Sequence, residues 1–300
     1  FYPLSISYRY ENSMVVWQEI VSNRFLNPFF SDEQKGAMKR YISWEELTEI
    51  ANSSEYIEPK GFIFHTSQCD SIMLSNSFSC LEKNIVINEA PFIHDILTSA
   101  YKENISKEET KRRLKDTIKI LGRKRFDFEE NFYLKFNCWE ISNIDMIKEL
   151  YPNTPILILY RKPEEILSSY KKVPAMQMVP QLLEGKTFES ISKDTSFDTY
   201  HLKVLENLFE EIVLQKNKDE VLIINYKDIK DIFFSKIVPH FNLNLDSKDK
   251  KLIQSSFRLY SKNHSQKFDE KNEEINNNLA IYEKLKNSFE SLSEIKVCNG

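Results

Sequence analysis

Between two apolar runs, Phe62-Ile63-Phe64 and Ile85-Val86-Ile87, the chain places a short polar turn, His65-Thr66-Ser67-Gln68-Cys69-Asp70-Ser71, followed by a helical pattern. That order is strand, loop, helix, strand, the unit from which parallel sheets are built. The chemistry open to such a loop is anion binding, because the following helix aims its first unpaired N–H groups and the positive end of its dipole at it. Arg161 stands directly after another apolar run, Pro155 to Tyr160, and so falls at a strand's carboxyl end, where its planar fork suits a phosphate. Ser169, two turns along the next helix, can add a hydroxyl. The competing reading for Arg161 is a helix cap or an ion pair with Glu164 or Glu165. Lys135 falls inside the apolar stretch Asn131 to Cys138, and a lysine there is costly to bury without a partner.

Holding these residues together requires a sheet. Runs at Phe62 to Phe64, Ile85 to Ile87, Asn131 to Cys138, Pro155 to Tyr160 and Val221 to Tyr226 alternate with helical patterns, which predicts a three-layer α/β/α fold with a mostly parallel sheet of about five strands. Pro155 to Tyr160, continuously apolar, reads as the central strand. Helices are expected over Pro91 to Leu121, Ile141 to Leu150, from Pro163 onward, and over Phe197 to Lys216. Val173 to Ser196 reads as irregular, a lid or substrate loop. The organisation expected is one domain over residues 1–300: an N-terminal helical lead-in over 1–60, an α/β core over 61–240 and a C-terminal helical segment over 241–300. Met38, Tyr41, Ile42, Leu47 and Ile50 have helical spacing within that lead-in.

With 41 basic and 45 acidic residues intermixed, the chain shows no basic stripe, which argues against a nucleic-acid surface. No apolar run of about eighteen residues and no signal-peptide pattern is visible, so a cytoplasmic location away from membranes is expected. Cys69, Cys80, Cys138 and Cys298 lack CxxC spacing, which fits a reducing compartment and disfavours zinc. His94, His201, His240 and His264 have no ligand spacing and read as packing or surface. The Lys111 to Arg113 cluster reads as a solvated helix face partnered by Glu108 and Glu109. There is no G-x-x-x-x-G-K-[ST], H-E-x-x-H, G-x-S-x-G or G-x-G-x-x-G. With only 5 glycines in the chain, any phosphate loop must be built without the usual ones.

The order of these motifs resembles that of the P-loop-like sulfotransferases that use 3′-phosphoadenosine 5′-phosphosulfate (PAPS), roughly from Trp17 to Phe268. Phe62 to Leu74 is similar to a bacterial branch whose first strand reads F-I-F-H-T-x-x-C-x-S-x-x-L. The resemblance implies that Thr66, Ser67, Gln68, Cys69, Asp70 and Ser71 form the 5′-phosphosulfate loop, and that Arg161 with Ser169 holds the 3′-phosphate. It further implies that Lys135 steadies the bridging oxygen or leaving phosphate. Glu89 matches a Ser-Glu-Pro motif whose Glu serves as general base, with a plain helix cap as the alternative; His65 is a second candidate base. Leu222 to Ile229 is similar to a strand ending in Tyr-Glu-Asp-Leu, Pro174 to Pro180 to a Pro-Gly-Met-x-x-Val-Pro segment, and Tyr260-Ser261-Lys262 to a Tyr-Ser-Lys near the family's end. The loop departs from the family: Gln68, Asp70 and Ser71 occupy the positions of Lys or Arg, Gly, and Ser or Thr, Ile72 stands where Thr is common, and Asn137 where many relatives carry His. The function implied is sulfuryl transfer from PAPS to a hydroxyl or amine of a small-molecule acceptor, leaving 3′-phosphoadenosine 5′-phosphate (PAP). A degenerate binding protein on the same fold, or a transferase using another phosphoryl-type donor, are the alternatives.

Overall fold

The computed structural model describes residues 1–9, 12–20, 22, 24–33, 36, 38–172, 175–263 and 279–293. The chain begins with three strands, β1 (Tyr2–Ser7), β2 (Met14–Gln18) and β3 (Lys39–Ile42), paired antiparallel in the order β1-β2-β3. This corrects the helical reading of residues 1–60. Ile42 pairs with Val15, and the Ser43 hydroxyl then accepts the Glu46 N–H at 3.1 Å as the N-cap of α1 (Trp44–Ser53), so the spacing that ran across residues 38–50 belongs to two elements.

Next come β4 (Pro59–His65), α2 (Ser71–Ser79), β5 (Asn84–Asn88), α3 (Pro91–Glu103), α4 (Lys107–Leu121), β6 (Asn131–Lys135), α5 (Ile144–Leu150), β7 (Ile156–Tyr160), α6 (Pro163–Lys172), α7 (Phe197–Leu214) and β8 (Val221–Asn225). Two short helices, α8 (Ile229–Ile232) and α9 (Val238–His240), flank a π-helical turn, and α10 (Ser247–Asn263) and α11 (Leu279–Ser293) complete the described helices. The main sheet runs β5-β6-β4-β7-β8 with every pairing parallel. β4 is the middle strand. β7, expected at the centre, is interior but lies one place along.

Both faces of this sheet are buried, which is why its strands read as unbroken apolar runs. Phe62, Phe64, Phe132, Leu134, Ile156 and Ile158 face one core with α3, α4 and α7; Ile63, Tyr133, Leu157 and Leu159 face a second with α2 and α10. Gly61 is needed for contact here: a Cβ on it would lie 2.2 Å from the Phe241 ring. α2 is rich in serine yet largely buried, because Ser75 and Ser77 turn their hydroxyls back to the carbonyls of Ile72 and Leu74. From β4 the chain moves outward to β5, returns to β6, then crosses to β7 and β8. The loop after β4 therefore sits at the sheet's switch point, where open parallel sheets hold ligands at their strands' carboxyl ends.

Candidate active site

Register brings the charged groups together. Lys135 ends β6 and aligns with Ile63 of β4 on one side and Asn88 of β5 on the other, so His65, Lys135 and Glu89 leave three neighbouring strands at one edge. Lys135 is fully buried, and its Nζ lies 2.8 Å from Glu89 Oε1 and 3.4 Å from Ser71 Oγ, the partners that a lysine in an apolar strand demands. Glu89 turns off its strand with a left-handed backbone (φ 52°), and its N–H donates to Lys135 O at 2.7 Å. It does not cap the next helix, whose N-cap is Ala90. Burial alone would push the Glu89 carboxyl up, but the Lys135 charge and the neighbouring imidazole outweigh it and hold it down to about 2. His65 Nε2 is 3.2 Å from Glu89 Oε1, an electrostatic contact without hydrogen-bond alignment. Its Nδ1 accepts the Ser67 N–H at 3.1 Å, an assignment that places the proton of a neutral ring on Nε2.

The loop is built as the sparse glycine content requires. Ser67, Gln68 and Asp70 take left-handed φ of 71°, 50° and 51°, a conformation usually left to glycine and one that stores strain at functional sites. Thr66 Oγ1 accepts the Arg161 N–H at 3.2 Å. Asp70 is the N-cap of α2, without a side-chain cap bond. Cys69 packs its thiol in the core group that includes Ile63 and Leu74, and burial pushes it up to about 12 against the opposing pull of Lys135 and of the Thr66 and Ser71 backbone. Arg161 makes the Glu165 ion pair of the competing reading, Nε donating to Oε2 at 2.9 Å, while Nη1 donates to Gln68 O of the loop at 2.6 Å and the guanidinium lies over the Tyr226 ring at 4.9 Å. Lys227 Nζ donates to the other Glu165 oxygen at 2.6 Å. Ser169 is buried on α6. The structure thus clusters His65, Ser71, Glu89 and Lys135, joins Thr66 and Gln68 to Arg161, and buries the Cys69 thiol within reach of Lys135 and the loop backbone.

A cavity of about 800 Å³ opens against the loop and Glu89. His65, Gln68 and Glu89 form one end; Phe29, Met176 and Leu182, all exposed, form an apolar rim. On its wall His94 Nδ1 accepts the Trp139 indole N–H at 3.0 Å, and burial lowers His94 to about 4, which keeps the imidazole neutral. Asn137 donates through its backbone N (2.8 Å) and side-chain amide (2.9 Å) to Glu140, which burial pushes up to about 8. His94, Trp139 and Gln177, which line the cavity, and Glu140, held by Asn137 of its wall, were not readable from sequence as site residues. Gln177 comes from the irregular 173–196 segment, which does line the cavity; Val173 and Pro174 lie outside the described residues, as do His264 and Cys298, and the side chains of Tyr260-Ser261-Lys262 are likewise outside them. The Lys111 to Arg113 cluster is engaged by Glu149, Glu109 and Glu103.

No family model matches the chain and no curated protein matches it in sequence. Among solved structures, sulfotransferase STF9 from Mycobacterium avium is 9% identical, with 83% of this chain and 80% of that one covered at a TM-score of 0.51. Sulfotransferase STF1 from Mycobacterium tuberculosis H37Rv is 10% identical over 83% of this chain and 80% of that one, TM-score 0.46. Mouse sulfotransferase SULT7A1, solved complexed with PAP, is 14% identical over 85% and 90%, TM-score 0.40. At such identities the likeness is one of fold, and the Mycobacterium avium protein carries it. A parallel five-stranded sheet clothed on both faces, matched in this way, gives the chain the sulfotransferase fold.

Proposed function

We propose that the chain is a single sulfotransferase-like domain, acting in the cytoplasm, that transfers a sulfuryl group from PAPS to a hydroxyl or amine of a small molecule. The observation that carries this reading is the buried Lys135, whose ammonium stands between the loop serine Ser71 and the cavity carboxylate Glu89. The donor set suits an anionic phosphosulfate: hydroxyls at Thr66, Ser67 and Ser71, loop N–H groups turned by left-handed residues, and the cation of Lys135. Arg161 and Ser169 would hold the 3′-phosphate. When bound, PAPS supplies the sulfuryl group. The cavity orients the acceptor and excludes water. Glu89 receives the acceptor's proton, with His65 beside it. Held at about 2 by Lys135, Glu89 is a weak base; once the ammonium serves an anion instead, burial raises its proton affinity toward that of a working base.

Thermal unfolding in the presence of PAP tests the nucleotide site. At 100 times Kd, linkage adds about 2.7 kcal/mol to the folded state, and Tm rises accordingly. An unchanged Tm at millimolar PAP contradicts the proposal. Asp70 in the loop and Glu165 on Arg161 favour a second reading, a nucleotide-binding module without transfer. PAP stabilisation with no consumption of PAPS across hydroxyl and amine acceptors would select it.

A further inference from the structure

Gln177 is buried on a short 3-10 turn, Met176–Met178, in the segment that lines the cavity. Its Nε2 donates to two hydroxyls: Ser67 Oγ at 3.1 Å and Tyr170 OH at 2.7 Å. Both amide protons are thereby used, and the two acceptors belong to different parts of the nucleotide side, the loop after β4 and the helix that follows Arg161. The turn is itself fixed, since Met178 is buried and its carbonyl accepts from His201 Nε2 on α7 at 3.0 Å. Ser67 is the first left-handed residue of the loop (φ 71°), and its N–H holds His65 Nδ1. A serine in that conformation persists only when its surroundings over-determine it. From the cavity side the Gln177 amide reaches it, alongside the Cys138 thiol and the Tyr170 hydroxyl, and Gln177 alone ties it to the 176–178 turn.

We infer that Gln177 is a positioning residue that holds the nucleotide loop in its binding conformation from the acceptor side, so that the cavity wall and the loop order together. The identity of the loop's ligand rests on the function proposed above; the role of Gln177 in ordering the loop does not. Gln177→Met keeps the length and volume of the side chain and removes both hydrogen bonds. Two modest hydrogen bonds together correspond to roughly a tenfold change in an equilibrium.

Hydrogen exchange read by mass spectrometry on peptides covering residues 65–72 and 175–184 tests this. Without ligand, loop amides in Gln177→Met are expected to exchange about tenfold faster than in the native protein, while β6 and β7 exchange as before. Ser67→Ala should reproduce the loop effect, and the double variant should add little to either single change. With saturating PAP, residues 175–184 are expected to gain protection in the native protein and not in Gln177→Met, and the variant's Kd for PAP should rise about tenfold. Unchanged loop exchange in Gln177→Met, uniform loosening of the whole sheet, or additive single changes would overturn the inference. Absence of PAP binding to the native protein would contradict the proposed donor, while the ligand-free comparison would still decide the role of Gln177.

Discussion

Burial pushes the Glu89 and Glu140 carboxyls up alike, but they end on opposite sides of the ordinary value, because Glu89 faces the Lys135 cation and Glu140 only the Asn137 amides. Glu89 falls from 4.5 to about 2, so it contributes stability that is present above pH 4.5 and lost as pH drops from there toward 2. Glu140 rises from 4.5 to about 8; the folded state then holds a proton the unfolded chain has released, and stability falls as pH climbs from 4.5 through 8. Urea unfolding across pH 3 to 9 should therefore show the acid limb flattened in Glu89→Gln and the decline above pH 5 flattened in Glu140→Gln. Limbs identical to the native protein's would refute both assignments. Glu89→Gln should also cost about 3 kcal/mol at pH 7, since it strands the Lys135 ammonium, and Lys135→Met in the same chain should recover much of that loss. Lys135 was legible because a lysine in an apolar strand must find a partner; Gln177 was not, because an amide in an irregular segment has no period or motif to mark it.

At the level of elements, the parallel strands were legible for the same reason they are stable: a strand buried on both faces must be apolar throughout. The β1-β2-β3 sheet was not. Its strands are short, β1 contains Pro3 with a register shift beside it, and β2 pairs with β3 across a long connection, so no local pattern announces it. The boundary between β3 and α1 is set by one hydroxyl. Ser43→Ala should lower unfolding free energy by about 1 kcal/mol. Gly61→Ala should cost roughly 1–3 kcal/mol, because its Cβ meets the Phe241 ring between β4 and the helices behind it. Chemical denaturation of each variant measures these values; a neutral Gly61→Ala would mean that Phe241 moves aside freely.

Across the whole molecule, the sheet's switch point, the strained loop and the cavity meet at one place, and each comes from a different stretch of chain. The loop and Arg161 were legible one by one, but the cavity is walled by α3, the turn at Trp139 and the 175–184 segment, whose meeting is set by packing alone. Among the described residues no helix is long and apolar enough to cross a membrane. Charge placement makes the nucleotide site the most exacting part of the proposal, because Arg161 must leave Glu165 partly in favour of a phosphate. Titration calorimetry with PAP on the native protein, Arg161→Ala and Lys135→Met measures this directly. The expected result is one saturable site that Arg161→Ala weakens about 100-fold and Lys135→Met weakens as well. No heat at millimolar PAP, or equal affinity in all three proteins, would contradict the placement of PAPS at this loop.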